Sequence, residues 1–351
     1  MSALAPAAWP VADASLTRLL HVDPTRGTYR DARITDLETL LRPGDLLVLN
    51  DAGTLPASLP GWSRLGLIEA RLAGPPGGSG EWPAVLFGAG SWRDRTEDRR
   101  PPPELGTGER IQLEAPGPDR GLQAEIVSVS SVSPRLVGLR FDREGSALWS
   151  ALYRIGQPVQ YSYLRATLPF WHAQTAFAGR PLAAEMPSAG RPLRVSQLRG
   201  LRARGVVLAV VTHAAGLSST GDPALDAALP LPELSLVPSE TVAAVEHAKA
   251  AGTRVVAGGT TVVRALEGAW RDGGLQAGAA ITALRIGPGF APRVVSGLLT
   301  GLHAPGESHF ELLQAFAPRS LLEAALDHAA TSGYRGHEFG DLSLILSEAL
   351  P

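Results

Sequence analysis

The sequence predicts an α/β protein in which a separate antiparallel β domain is inserted into a larger body of alternating strands and helices. Between about residues 60 and 148, short runs of alternating apolar and polar residues lie between Gly- and Pro-rich turns. Period two broken by turn residues marks a half-exposed antiparallel sheet. After about 148 the texture changes, and strand-like apolar runs alternate with helix-length segments. Residues 33–59 already share that second texture, with a short helix, a Pro-Gly-Asp turn and an apolar strand. The expected division is one discontinuous α/β domain over 1–59 and 149–351, with the β domain at 60–148.

In chain order, the strand LLVLN (46–50) ends at Asp51. The insert contributes GLIEARL (66–72), PAVLFG (83–88), RIQLE (110–114), LQAEIVSV (122–129) and RLVGLRF (135–141), with loops at 74–80 and 98–108. In the body, strand GVVLAVVT (205–212) leads into a long loop and then a helix over 240–251, with Ser239 as its N-cap and Gly252 as its C′ stop. Strand RVVAGG (254–259) runs into a helix over 260–270. Strands at 281–286 and 294–300 precede helices near 307–316 and 319–331. Strands alternating with helices predict a largely parallel sheet.

A chain of 351 residues with 44% hydrophobic and 19% charged residues has the balance of a soluble globular protein and can bury a sizeable core. The net charge of −2 gives no whole-molecule positive field, so any contact with nucleic acid must come from a local patch. Zero cysteines exclude disulfides, thiolate nucleophiles and cysteine-ligated zinc. Lys249 is the only lysine and sits on a helical, solvated face, which excludes a Walker-type phosphate loop. Pro6 and Pro10 and the lack of a basic lead-in argue against a secretory leader. The longest apolar runs, such as Val206–Val211, are too short to span a membrane, and a cytoplasmic protein is expected. No HExxH helix and no GxSxG elbow occurs, and GAGSWR (88–93) lacks the third glycine of a dinucleotide fingerprint.

Four segments carry candidate chemistry. Asn50 and Asp51 end an apolar strand, where a ligand crevice commonly opens; Asp51 can equally cap the following turn. In VVAGGTTVVRALEGAW (255–270), a strand meets Gly-Gly-Thr-Thr and a helix carrying Arg264 and Glu267. Free N–H groups at such a junction favour an anion; the plainer alternative is a Thr cap with an Arg264–Glu267 surface pair. His303 follows a strand and precedes Pro305, and it either handles protons or hydrogen-bonds its own loop. Tyr334, Arg335, His337, Glu338 and Asp341 crowd a short stretch before a closing strand.

Taken in order, GDLLVLND with PASL (44–59), WHAQTAFA (171–178), MPSAG (186–190), GGTTVVRALE (258–267), PGF (288–290), LTGLHAP (299–305) and YRGHEFGD (334–341) resemble the motifs of the S-adenosylmethionine:tRNA ribosyltransferase-isomerases of queuosine biosynthesis. The resemblance covers nearly the whole chain. It implies a large α/β barrel-like domain with an inserted antiparallel β-barrel domain. It also implies transfer and isomerisation of the ribosyl moiety of S-adenosylmethionine onto a 7-aminomethyl-7-deazaguanine in tRNA, releasing adenine and methionine. S-adenosylmethionine would be a co-substrate, tRNA the partner, and no metal is implied. Carried over by motif, the resemblance implies catalytic roles for Glu233, His303 and Asp51, with Glu233 and His303 as the proton-handling pair. It implies substrate contacts for Asn50, Tyr163, Gln174, Thr175, Ser188, Gly190, Gly259, Thr260, Thr261, Arg264, Pro305, Tyr334, Arg335 and Asp341. Asn50, Asp51, Gln174, Glu233, Gly259, Thr260, Thr261, Arg264, His303 and Asp341 are expected to converge on one cleft.

The chain also departs from the family pattern. Gly53 and Ser58 stand where the family has arginines, and YSYL (161–164) replaces Pro-Pro-Tyr-Ile while keeping Tyr163. Arg191, Pro192 and Leu193 replace Leu-His-Phe. His213, Ala214, Ala215 and Gly216 replace Leu-His-Val-Gly, a one-place shift that turns the imidazole to the other strand face. Pro230, Leu231, Pro232 and Glu233 replace Met-His-Ser-Glu. These losses leave open a divergent enzyme acting on a small-molecule acceptor, and a non-catalytic nucleoside-binding relic.

Overall fold

The computed structural model describes residues 4–114 and 121–348. Strands β1 (Arg18–Asp23) and β2 (Thr28–Arg33) form a hairpin, and a short helix at Leu37–Leu40 leads into β3 (Leu46–Asn50). Every residue of β3 is buried, as its unbroken apolar run requires of a strand covered on both faces. After a two-residue strand at Gly53–Thr54, six strands follow: β4 (Ser58–Ser63), β5 (Gly66–Leu72), β6 (Trp82–Phe87), β7 (Arg110–Leu113), β8 (Leu122–Val129) and β9 (Leu136–Phe141). They close an antiparallel barrel in the order β8-β9-β6-β5-β4-β7. Alternation sends Leu59, Ala70, Leu72, Leu86, Ile111, Leu113 and Ile126 inward to an apolar lumen. At Gly61 a Cβ would collide with the Gln112 carbonyl, so only glycine lets β4 and β7 approach closely enough to close the ring.

Helix α1 (Gly145–Ile155) contributes Leu148, Leu152 and Ile155 to the barrel core, and body residues Ala184, Leu217 and Leu225 join them. The body then supplies α2 (Val195–Ala203), β10 (Val207–His213), α3 (Pro223–Ala228), β11 (Glu233–Val237) and α4 (Ser239–Ala250). It continues with β12 (Val255–Gly258), α5 (Thr260–Gly268), β13 (Gly278–Thr282), β14 (Gly297–Gly301), α6 (Ser308–Leu313), α7 (Arg319–Thr331) and β15 (Leu342–Ile345). Nine strands form one sheet in the order β13-β11-β10-β3-β12-β14-β15-β1-β2. Residues of α4, α5, α6 and α7 cover one face, and Leu37, Leu41, Leu193 and Leu201 cover the other.

The α/β class and the antiparallel barrel agree with the expectation from sequence. The sheet is not largely parallel, however. Its centre, β10-β3-β12-β14, is parallel, while β13-β11-β10 on one flank and β14-β15 and β1-β2 on the other are antiparallel. Hydrophobic period reports which face is buried and carries no information on strand direction. The segment expected to be a long loop after β10 contains α3 and β11. Pro238, not Ser239, is the N-cap of α4, whereas Gly252 takes the expected left-handed conformation at φ +66°. Among the described residues no helix is long and apolar enough to cross a membrane.

One buried ion pair ties the lower ends of β3 and β12 together. Arg254 Nε lies 3.1 Å from both Asp45 oxygens, and its other nitrogens donate to the carbonyls of Leu40 and Ser347 at 3.0 and 2.9 Å. Replacing Asp45 by Asn strands a buried guanidinium. A loss of about 3–5 kcal/mol is expected, read as a lower urea midpoint with unchanged slope.

Candidate active site

Asn50 occupies the upper end of the central strand and works as a side-chain extension of the sheet. Its Oδ1 accepts the N–H groups of His213 at 2.9 Å and Ala52 at 3.1 Å, and its Nδ2 donates to the His213 carbonyl at 2.9 Å and to Thr261 Oγ1 at 3.1 Å. One amide therefore joins β3, the end of β10 and the first turn of α5. That turn begins at Gly259, whose φ of +119° excludes a side chain without strain. An added Cβ there would stand 3.7 Å from Ala189, so the turn Ser188–Gly190 lies over the start of α5.

At the end of β10, on the same strand face as Val211, the side chain of His213 is directed inward, where it is fully buried. Its Nε2 meets Glu233 at 2.7 Å. Glu233 is also bound by Arg264 Nη1 and accepts the Gly216 N–H at 2.6 Å. Burial would raise the Glu233 carboxyl, but His213, the Arg264 guanidinium and the Gly216 N–H outweigh it and hold the group below its ordinary range. Arg264 donates its Nε to the Leu284 carbonyl at 3.0 Å. Its Nη2 and His213 Nδ1 are buried with no partner among the described residues.

A second imidazole–carboxylate pair lies on the loop after β14. His303 Nδ1 is 3.5 Å from Glu307, its Nε2 is 3.1 Å from Thr300 Oγ1, and its ring stacks on His309 at 4.7 Å. Burial and the neighbouring His303 depress His309 to about 3, so it stays neutral; it also senses Arg264 and Glu233 and so connects the two pairs. Next to this loop, His337 packs on Tyr163 at 4.4 Å and Tyr163 stacks on Tyr161. The Tyr161 hydroxyl donates to Glu185. The barrel reaches the same region: a Cβ on Gly216 would lie 3.4 Å from the Ala73 carbonyl.

The structure brings Asn50, Gly259, Thr260, Thr261, Arg264 and Glu233 together, with Ser188 and Gly190 beside them. Asp51 is adjacent and shares Oδ1 with the Thr212 hydroxyl at 2.6 Å. Thr175 approaches Gly190 and keeps a buried hydroxyl without a partner, and the Tyr163 hydroxyl is likewise unpartnered. Pro305 lies on the His303 loop. The expected convergence fails at Gln174 and Asp341, and Tyr334, an expected substrate contact, also lies outside the group. Gln174 closes both ends of its amide on the Thr54 backbone, at 3.0 Å each. Asp341 receives the N–H groups of Arg18 and Arg335 at 2.9 Å. Tyr334 is buried with its hydroxyl on Asp31 at 2.6 Å. These polar groups hold the fold, and Arg335 is exposed beside residues 5–9 rather than in the Glu233 cluster.

The imidazole of His213 faces Glu233 from within a regular strand, paired with Ser235 and on the same face as Val211. One sequence expectation reverses. Arg264 pairs with Glu233 instead of Glu267, which accepts the backbone N–H groups of Arg293, Val294 and Val295 at 2.9 Å. His213 was legible only as a shifted motif. Glu185 carried no sequence signal beyond standing next to Met186.

A family model described as queuosine biosynthesis protein matches residues 3–345. An S-adenosylmethionine:tRNA ribosyltransferase-isomerase of Thermus thermophilus is 36% identical over 334 residues, covering 91% of this chain and 90% of the relative. A protein of the same name from Anaeromyxobacter is 36% identical, covering 96% and 94%. The crystal structure of an S-adenosylmethionine tRNA ribosyltransferase from Thermotoga maritima shares the fold with a TM-score of 0.53 at 24% identity, covering 97% of this chain and 96% of that one.

Burial pushes the Glu338 carboxyl up to about 7. The folded protein then keeps a proton that the unfolded chain loses near 4.5, so this group's contribution to stability falls as pH rises from about 4.5 to about 7. Depressed His309 acts in the opposite sense over about 3 to 6.5. Urea midpoints of Glu338→Gln and the parent at pH 5 and pH 8 should separate them: the variant gains relative stability at pH 8.

Proposed function

The chain belongs to the queuosine biosynthesis protein family, and on that premise we propose that it is an S-adenosylmethionine:tRNA ribosyltransferase-isomerase. It transfers the ribosyl moiety of S-adenosylmethionine to a 7-aminomethyl-7-deazaguanine of tRNA and isomerises it, with release of adenine and methionine. The observation that carries this reading is that a chain matched over more than nine-tenths of its length to enzymes of that name draws Asn50, His213, Glu233, Thr261 and Arg264 into one hydrogen-bonded cluster. A relic without catalysis would have no use for an imidazole–carboxylate pair kept dry at such a junction, so the enzyme reading is preferred.

S-adenosylmethionine supplies a sulfonium that acidifies the adjacent ribose C5′–H. The residues must then take up one proton and deliver another to the departing adenine. Glu233 is ionised and occupied on both oxygens, which suits it to positioning His213 rather than to exchanging the proton itself. His213 presents Nδ1 as the acceptor. His303, backed by Glu307, serves the second proton. Arg264 Nη2, Thr175 Oγ1 and the Tyr163 hydroxyl are buried and unpartnered among the described residues, and they fit a ligand rich in hydroxyl, carboxylate and amine groups. Asp51 and Thr260 line the donor side with Asn50 and Thr261.

The test is adenine release from S-adenosylmethionine in the presence of tRNA carrying the aminomethyl base. His213→Gln and His303→Gln should each lose about 10²–10⁴-fold in rate while retaining donor binding by calorimetry. Glu233→Gln should lose rate and shift the pH profile, because it frees the imidazole. Parent-like rates in the histidine variants would refute their roles, and no adenine release by the parent protein would refute the function.

A further inference from the structure

Beside the Glu233 knot, the same cleft holds a group of titratable side chains that the proton steps above leave unused. Glu185 Oε1 accepts the Tyr161 hydroxyl, the Ser218 N–H at 2.9 Å and the Ser218 hydroxyl at 3.2 Å. Tyr161 and Tyr163 stack with ring centroids 6.1 Å apart and planes 15° from parallel. Tyr163 rests on His337, and Glu338 is the next residue. Glu338 Oε2 and the Tyr163 hydroxyl are both enclosed without a hydrogen-bond partner among the described residues.

The charges here are one-sided. Desolvation raises Glu185 and Glu338, and it raises the Tyr161 phenol further with help from both carboxyls. The cation whose field reaches Tyr161 and Glu185 is Arg71, which is already bound to Glu69 at 2.7 Å. On the other side stands His337, an exposed residue whose imidazole is shifted below its ordinary value by partial desolvation, with Glu307 and His303 beyond it. Two desolvated carboxyls without a cation of their own among the described residues, walled by stacked aromatic rings, make a cage suited to a small alkylammonium.

We propose that Tyr161, Tyr163, Glu185 and Glu338 form the subsite for the primary ammonium of the acceptor base, and that Glu338 takes its proton. The proposal rests on the tRNA-modifying reading and deepens it. One ammonium N–H bond breaks, an O–H bond forms on the Glu338 carboxylate, and the electron pair stays on nitrogen. That lone pair is the one the new C–N bond requires. A carboxyl held near neutrality accepts such a proton far more readily than an ordinary glutamate.

The test compares tRNA bearing the aminomethyl base with tRNA bearing a neutral nitrile at the same position, and measures S-adenosylmethionine affinity separately. The parent should prefer the amine by roughly tenfold or more. E185Q/E338Q should reduce that preference to about one and leave donor affinity unchanged. E338Q alone should lower kcat by about 10²–10⁴-fold and remove a limb of its pH profile near 7. Y163F, which keeps both charges and the ring, should weaken the amine preference several-fold and serves if the double variant does not fold. Amine preference surviving in E185Q/E338Q, or in Y163F where that is the folded variant, overturns the proposal. So does loss of donor affinity with the preference intact, which would assign the cage to the ammonium of S-adenosylmethionine. Failure of the parent to release adenine with either tRNA would instead overturn the functional reading beneath it.

Discussion

A carboxylate that is only 8% exposed stays ionised only if its oxygens are met by donors, and Glu233 draws its donors from three separate pieces of chain. The imidazole comes from the end of β10, the guanidinium from α5 and the N–H from the loop at Gly216. Each must arrive within hydrogen-bonding distance at once. This fixes β11 beside β10, α5 above the parallel centre of the sheet, and the loop after β10 across the mouth. Asn50 makes the arrangement possible by ending the central strand with an amide that supplies both a donor and an acceptor to the His213 backbone.

The barrel follows from a different requirement. Its lumen is filled by its own strands and by α1, and it contributes to the cleft only through its rim and the segments around it. Within its wall, Glu69 joins Arg71 and Arg99 at 2.7 and 2.6 Å, and the guanidiniums of Arg71 and Arg99 lie over the Phe87 ring at 4.5 and 5.1 Å. Arg71 is thereby committed to the barrel even though its field extends to Tyr161 and Glu185. The cleft is consequently asymmetric. One side carries a carboxylate whose charge is compensated by His213 and Arg264, and the other carries carboxyls raised by burial. A reaction that starts from a cationic donor and a cationic amine makes use of both conditions.

The same asymmetry explains why polar residues of similar appearance have different fates. Thr261 and Gln174 both lie in polar motifs at element junctions. Thr261 starts a helix beside Asn50, whereas Gln174 ends a short turn where the unpaired backbone of Thr54 uses its whole amide. Asp341 and Tyr334 precede the closing strand, and the backbone and Asp31 of the β1–β2 hairpin region consume them. Buried backbone groups have to be satisfied, and these side chains meet that need before a substrate could.

The sequence by itself determined the α/β class, the antiparallel insert and the central strand ending at Asn50, because each depends on hydrophobic period and turn residues close together in the chain. It also carried the motif order that points to the family, and with it Glu233, Thr261, Arg264 and Tyr163. Tertiary structure alone decided strand direction, since direction is set by how the connections run in space. It alone decided that Arg264 reaches across 31 positions to Glu233 rather than three to Glu267, and that the His213 imidazole turns inward. Both Glu233 and Glu338 are desolvated, and it is the donors of His213, Arg264 and Gly216, brought together only in the folded chain, that keep Glu233 ionised while burial raises Glu338.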